Sequence, residues 1–292
     1  MPGNLQLPKE SLPFLIKIFG PLAEGGEYVS DQIRYFRWKS SVKMMNKAKI
    51  FAEENGLKNQ EVPFKILVPL IEKSSLEDED SPLIDVWAKL LATASHDPEA
   101  VESVFVNLLS QLTYSEVQLI DNLADEEYLG EVSELISSFR DENPVSYDKN
   151  RNSAISGAAT VLNSATRSAM AQNFQSALIK RENLDDGQSY SDFVEEFLQE
   201  HCYEQKFGVI VEALNHTPVG KWKNGVYAAN PLCITDGISI AMLLSLGLMN
   251  RFEQTYPVAS HGLSISTLSL SPLGLKFVAS CRGMNLLEGC SQ

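Results

Sequence analysis

Long hydrophobic runs are missing from this chain. No stretch approaches the roughly 18 apolar residues that a bilayer-spanning helix needs. The best candidate, SLPFLIKIFG at residues 11–20, is interrupted by Pro13 and Lys17. It has neither a basic leader nor a small-residue cleavage site, so a secretory signal is not expected. Cysteine is scarce as well: Cys202, Cys233, Cys281 and Cys290 lie far apart and form no CxxC pair. In a chain of 292 residues they read as reduced, mostly buried thiols of a cytosolic protein, not as a disulfide framework.

The signatures of common chemistries are absent too. There is no GxxxxGK[ST] phosphate loop and no GxGxxG turn, which removes the simplest support for an ATP- or dinucleotide-dependent enzyme. GxSxG, the hydrolase elbow, does not occur. The four histidines, His96, His201, His216 and His261, are scattered. His201 and Cys202 are adjacent, and adjacent residues on a helix point about 100° apart, so they do not suit one metal ion. The acidic run Glu77-Asp78-Glu79-Asp80 has no EF-hand spacing and reads as a solvated turn. The sequence thus names no catalytic residue, no metal ligand and no cofactor, and an enzyme is the less expected class.

Positive charge is in deficit, with 24 basic against 38 acidic side chains. The imbalance is local. Residues 1–100 carry a net −3, residues 101–200 a net −12 and residues 201–292 a net +1. An acidic middle block repels phosphate, so general nucleic-acid binding and specific duplex DNA affinity are not expected.

One segment runs against this balance. From Asp31 to Lys49 there are six basic residues and one acidic, and Tyr35, Phe36 and Trp38 sit among them. Pro21 suits a helix start and Asn55-Gly56 a left-handed stop, which predicts a long helix from the 20s to Glu54. Its apolar residues fall on two faces, as in a helix packed between neighbours. Lys39, Lys43 and Lys47, spaced by four, form a basic strip between those faces. Arg34, Arg37, Lys39, Lys43 and Lys47 are therefore the candidate binding residues for an anionic surface or partner. Three readings are open: an internal clamp on the acidic middle block, an interfacial membrane helix, and a grip on a nucleic-acid backbone. The clamp is preferred, because charged side chains usually pair or solvate within their own chain.

The remaining pattern is mainly α. Pro63 opens a short buried helix in VPFKILVPLIEKSS, which Pro69 should kink or split. Ser81 and Pro82 start SPLIDVWAKLLATA, with Leu83, Val86, Trp87, Leu90 and Leu91 facing inward. Thr113 and Glu116 make a capping box for a later helix. The block 125–200 has helical period, with a loop at DENPVSYDKNRN, and a further helix is expected in DDGQSYSDFVEEFLQEHC. Near the C-terminus the order changes. The helix ITDGISIAMLLSLGLMNRF ends at Leu246-Gly247, two β-like runs flank SHG, and Pro272 opens SPLGLKFVASC. Helix, two-stranded wing and helix make the back half of a winged helix. The expected organisation is a helical region over 1–100 and a split winged-helix-like domain over 101–284. Its halves are about 101–124 and 232–284, around an acidic helical insertion at about 125–231. The helix in the recognition position offers no basic residue, so it is read as structural, with Ile238, Met242, Leu243 and Leu246 buried.

Several of these segments together resemble a known family. They are Gly20-Pro21, the Arg34-Tyr35-Phe36-Arg37 helix, VPFKILVPLIEKSSLED, and WAKLLATA with Pro98 after it. LSLGLMNR and LSLSPLGLKFVASC complete the succession. In order and content they resemble the Abi-alpha (abortive infection alpha) family of bacterial proteins. The motifs are packing signatures and carry no active-site residues. The resemblance implies a cytoplasmic bacterial protein of phage defence by abortive infection, and carries over no biochemical activity. The preferred reading of its role is a non-enzymatic component acting by protein contact or by toxicity to its own cell, with a protein partner or self-association expected. A nucleic-acid-binding regulator, or a membrane-surface effector, using the basic helix 31–49 is the alternative.

Overall fold

The computed structural model describes residues 35–124, 126–142, 144, 151–182, 196–197, 208–213, 226–229, 237–258, 261–284 and 286. It is mainly helical, with one antiparallel sheet. The chain divides into two compact units, Met1–Ser115 with Lys276–Glu288, and Glu116–Leu275 with Gly289–Gln292.

The first unit is built on helices α1 (Tyr35–Glu54), α2 (Phe64–Ser74), α3 (Leu83–His96) and α4 (Ser103–Leu109). α1 stops where the sequence predicts: Gly56 adopts φ 64°, a left-handed conformation that suits glycine. The expected start in the 20s lies outside the described residues. α1 packs chiefly against α3, and α2 against α3 and α4. Met44, Ala48 and Ala52 of α1 are fully buried, and so are Trp87, Leu90 and Leu91 of α3. Of the kink or split expected at Pro69, the split does not occur: α2 runs through it as one helix. Pro63 supplies its N-cap position, and its apolar face buries Ile66, Leu67 and Leu70. Ser81 Oγ accepts a hydrogen bond from the Leu83 amide at 3.3 Å at the start of α3.

The C-terminal residues of this unit are held by specific bonds. Thr93 Oγ1 donates to the Ser280 carbonyl at 2.9 Å, and Ser280 Oγ donates to the Ala100 carbonyl at 3.1 Å. Phe105 meets Phe277 edge to face, with ring centroids 5.6 Å apart. Gly283 has φ 83°, and a Cβ there would collide with the Phe51 ring.

The second unit contains most of α5 (Tyr114–Asn122), then α6 (Glu126–Glu142) and α7 (Arg151–Glu182). Of the loop expected at DENPVSYDKNRN, Asp141, Glu142, Pro144, Arg151 and Asn152 are described and helical; the rest lies outside the described residues. On α7, Ile155, Ala158, Ala159, Met170, Phe174 and Leu178 are buried, so it is packed along one side. Tyr128 on α6 donates its hydroxyl to Asn163 Oδ1 on α7 at 3.2 Å. Asn163 Nδ2 in turn donates to the Leu270 carbonyl at 3.0 Å. Burial, reinforced by the Glu131 carboxylate, pushes the Tyr128 phenol up to about 12. Of the helix expected in DDGQSYSDFVEEFLQEHC, Glu196 and Phe197 are described and helical; the rest lies outside the described residues.

The insertion expected to be wholly helical is not. It contributes strands β1 (Gly208–Ala213) and β2 (Val226–Ala229). They join β3 (Met249–Val258) and β4 (His261–Leu270) in a four-stranded sheet of order β2-β1-β4-β3. All neighbours are antiparallel, with Val258 paired to His261 at the hairpin end and Met249 to Leu270 at the other. β1 adds to the outer side of β4, pairing Val209 with Thr267 and Val211 with Ile265. The reason is local: GVIVEA concentrates β-branched residues, which favour a pleated, half-buried surface.

Before the hairpin runs α8 (Gly237–Ser245), and after it α9 (Pro272–Arg282). Gly247 at φ 71° ends the first, and Ser271 Oγ donates to its carbonyl. Gly274 lies so close to the Leu248 carbonyl that a Cβ would overlap it, so this approach needs glycine.

Candidate functional site

The lysine strip is real, and it is already occupied. Lys39, Lys43 and Lys47 lie along one side of α1, a helical turn apart. Lys39 Nζ stands 3.9 Å from Glu79 Oε2. Lys43 Nζ donates to Asp80 Oδ1 at 3.2 Å and to the Glu79 carbonyl at 2.6 Å. Lys47 Nζ donates to Asp85 Oδ1. Lys49, two residues beyond the strip, pairs with Glu53 at 3.8 Å, an i,i+4 contact within α1.

The acidic jaw is thus the turn at 77–80 and the first turn of α3. The sequence reading had placed the strip against the acidic middle block, and the structure corrects that partner. The reason lies in chain geometry: α1 packs along α3, which brings the segment leading into α3 alongside the lysines. Glu77 anchors this segment from within. Its carbonyl accepts from Ser40 Oγ of α1 at 2.9 Å. Its carboxylate accepts from Ser81 Oγ at 3.2 Å and from Trp87 Nε1 at 3.4 Å. Ser40 and Trp87 are both buried, so the base of the turn is tied to the core while its acidic tip faces solvent.

Exposure decides what these pairs are worth. The lysine side chains are 35% to 49% exposed, and Asp80 is fully so. Ion pairs in that setting contribute modestly and weaken as salt screens them. The ladder therefore aligns α1 with the turn without being what holds the unit together. Arg37 lies in the first turn of α1, whereas Arg34 lies outside the described residues. Of the five candidate binding residues, the structure brings three lysines together and engages all three internally.

α8, the helix for which the sequence predicts a buried, structural role, behaves as expected in part. Leu243 is fully buried and Ile240 nearly so, while Met242 and Leu246 are half-buried. Ile238 is not buried: it is 87% exposed. It lies five positions before Leu243, about 140° around a helix, so the two cannot share the inward face. Among the described residues no group of His, Cys, Asp and Glu is arranged to hold a metal ion, and no helix is long and apolar enough to cross a membrane.

Sequence reasoning missed the role of LEDED because it treated an acidic cluster as solvent-facing by default. The available signal was the strip of lysines at every fourth residue on α1, earlier in the chain, which calls for an acidic partner. It also missed Glu102, whose carboxylate accepts a 2.8 Å hydrogen bond from Lys276 Nζ. No short-range pattern links residues 174 positions apart.

No curated protein and no solved structure matches this chain. A family model does: the one described as abortive infection alpha matches residues 37–281. The match runs from the first turn of α1 to Cys281, the penultimate residue of α9, and so takes in each helix and strand described above. This chain belongs to the abortive infection alpha family.

Proposed function

We propose that this protein is a component of bacterial phage defence by abortive infection, working in the cytoplasm through contact with protein and not through a reaction of its own. The family match over residues 37–281 carries the defence reading. Protein contact is supported by apolar side chains left outside the core. On α2, Phe64 and Val68 lie one turn apart, on the side away from Ile66, Leu67 and Leu70, and each is about half exposed. The nucleic-acid and membrane alternatives lose ground because Lys39, Lys43 and Lys47 already meet carboxylates.

The order α8–β3–β4–α9 supports reading the C-terminal segment as the back half of a winged helix, here used for packing. Leu243 at its centre is buried, and the helix carries no basic side chain.

A paired variant tests the contact. Phe64→Ser with Val68→Ser should return plaque counts to those of cells lacking the protein, while the melting temperature stays within a few degrees of the parent. Both side chains are solvent-facing, so little core is lost. Full protection by the folded double variant would remove this surface from the mechanism.

A further inference from the structure

α2 has two unlike sides. Ile66, Leu67, Leu70 and Ser74 are buried, whereas Phe64 and Val68 stand 45% and 52% exposed, with Lys65 and Glu72 exposed beside them. We propose that this outer side is a self-association surface, and that a second copy of the chain lays its own α2 antiparallel across it about a two-fold axis at Val68.

Helical spacing orders the outer side, with Val68 at its middle. Phe64 and the half-buried Ile71 fall on one flank, and Lys65 and Glu72 on the other, since residues seven apart return to nearly the same direction. Among the described residues neither Lys65 nor Glu72 has an ion-pair partner in its own chain. Two turns, about 10 Å of rise, separate them from each other. The Glu72 carbonyl accepts from Ser75 Oγ at 2.6 Å, a bond that does not engage the carboxylate. In this the two differ from Lys39, Lys43 and Lys47, which meet carboxylates within the chain.

These flanks select a second copy as the occupant. Two helices packed antiparallel about a two-fold axis bring like flanks together. Phe64 then meets the partner's Ile71, Val68 meets its own copy, and Lys65 meets the partner's Glu72. Every contact but the central one is made twice, so one helix supplies both members of each opposite-charge pair. The midpoints of 64 with 71 and of 65 with 72 both fall within half a residue of Val68, under about 1 Å along the axis. One register therefore satisfies all three contacts. A parallel pair would bring unlike flanks together and set both charges against apolar side chains. The surface is small, with three apolar residues from each chain, so the expected dimer is a dissociable one, with a Kd of about 10–100 µM.

This inference rests on the reading of Phe64 and Val68 as a contact surface and names its occupant; its test is a solution property that stands apart from plaque counts. The molar mass of the full chain is measured by light scattering across a concentration series at about 0.1 M salt. The parent should move from monomer to dimer. Lys65→Glu alone, or Glu72→Lys alone, sets like charges against each other twice and should weaken the dimer about tenfold or more. The double variant Lys65→Glu with Glu72→Lys restores opposite pairs and should restore dimerisation. Val68→Asp, which places two carboxylates at the axis, should leave a monomer. All four variants alter exposed positions, and thermal melting confirms that they fold. A parent that stays monomeric up to about 500 µM overturns the proposal. A dimer that ignores Val68→Asp, that neither single reversal weakens, or that the exchange fails to rescue also overturns it. Plaque counts speak to the defence reading alone: full protection by the monomeric Val68→Asp variant would count against that reading and leave the dimer standing.

Discussion

Lys276 Nζ donates to Glu102 Oε1 at 2.8 Å, joining α9 to the residue just before α4. The lysine is 11% exposed and the glutamate 41%, so the ammonium is the more costly group to strand. Removing the carboxylate with Glu102→Ala should destabilise the protein by about 1–3 kcal/mol, because it leaves a nearly buried charge without that partner. Lys276→Met, which removes the charge and keeps the volume, should cost less. Denaturant melts of the two variants check the ranking, and the reverse order would mean that the pair does not bear on stability as described.

The lysine ladder should behave differently, since it lies in solvent. Lys39→Gln, Lys43→Gln and Lys47→Gln together should lower the melting midpoint by a few degrees. They should also flatten the salt dependence that the parent shows between low and about 0.5 M salt. A double-mutant cycle on Lys47 and Asp85 should return a coupling of about 0.2–1 kcal/mol. A parent whose melting ignores salt would contradict the clamp.

On α8 the contrast lies within one helix. Leu243→Ala empties a fully buried site and should cost about 2–5 kcal/mol. Ile238→Ala, at a residue 87% exposed, should change stability by less than about 0.5 kcal/mol. Thermal or urea melting separates them.

Tyr128 gives a prediction with pH. Its phenol is raised to about 12 in the fold, against about 10 in an unfolded chain. The folded state therefore holds this proton more tightly. The associated stability is complete below about pH 10 and is lost as pH rises toward 12. Tyr128→Phe should show a shallower loss of stability over that window, and the parent's phenolate absorbance should include one late-titrating tyrosine. At neutral pH the same variant should cost about 1 kcal/mol, from the lost bond to Asn163.

Local signals were readable where the chemistry is local. Gly56 and Gly247 mark helix ends by needing positive φ, Pro63 and Pro272 mark helix starts, and the hairpin follows from alternation on both sides of SHG. The pairing of β1 with β4 was not legible, because it joins strands about fifty residues apart and depends on a register that no short window records. The strip of Lys39, Lys43 and Lys47 could be read as a strip. Its partner could not, since that depends on how α1 lies along α3. Ile238 was misplaced because an apolar residue in a helix sequence does not by itself say which way it points.

This chain belongs to the abortive infection alpha family, and defence of its host by abortive infection is the function proposed for it. The most direct measurement is phage infection of bacteria expressing the full chain, at low and high phage-to-cell ratios, against cells carrying an empty vector. The account predicts fewer plaques for at least one phage of a diverse panel, survival of the culture at the low ratio and collapse at the high ratio without a normal burst. Plaque numbers and burst sizes equal to the empty control across the panel would contradict it.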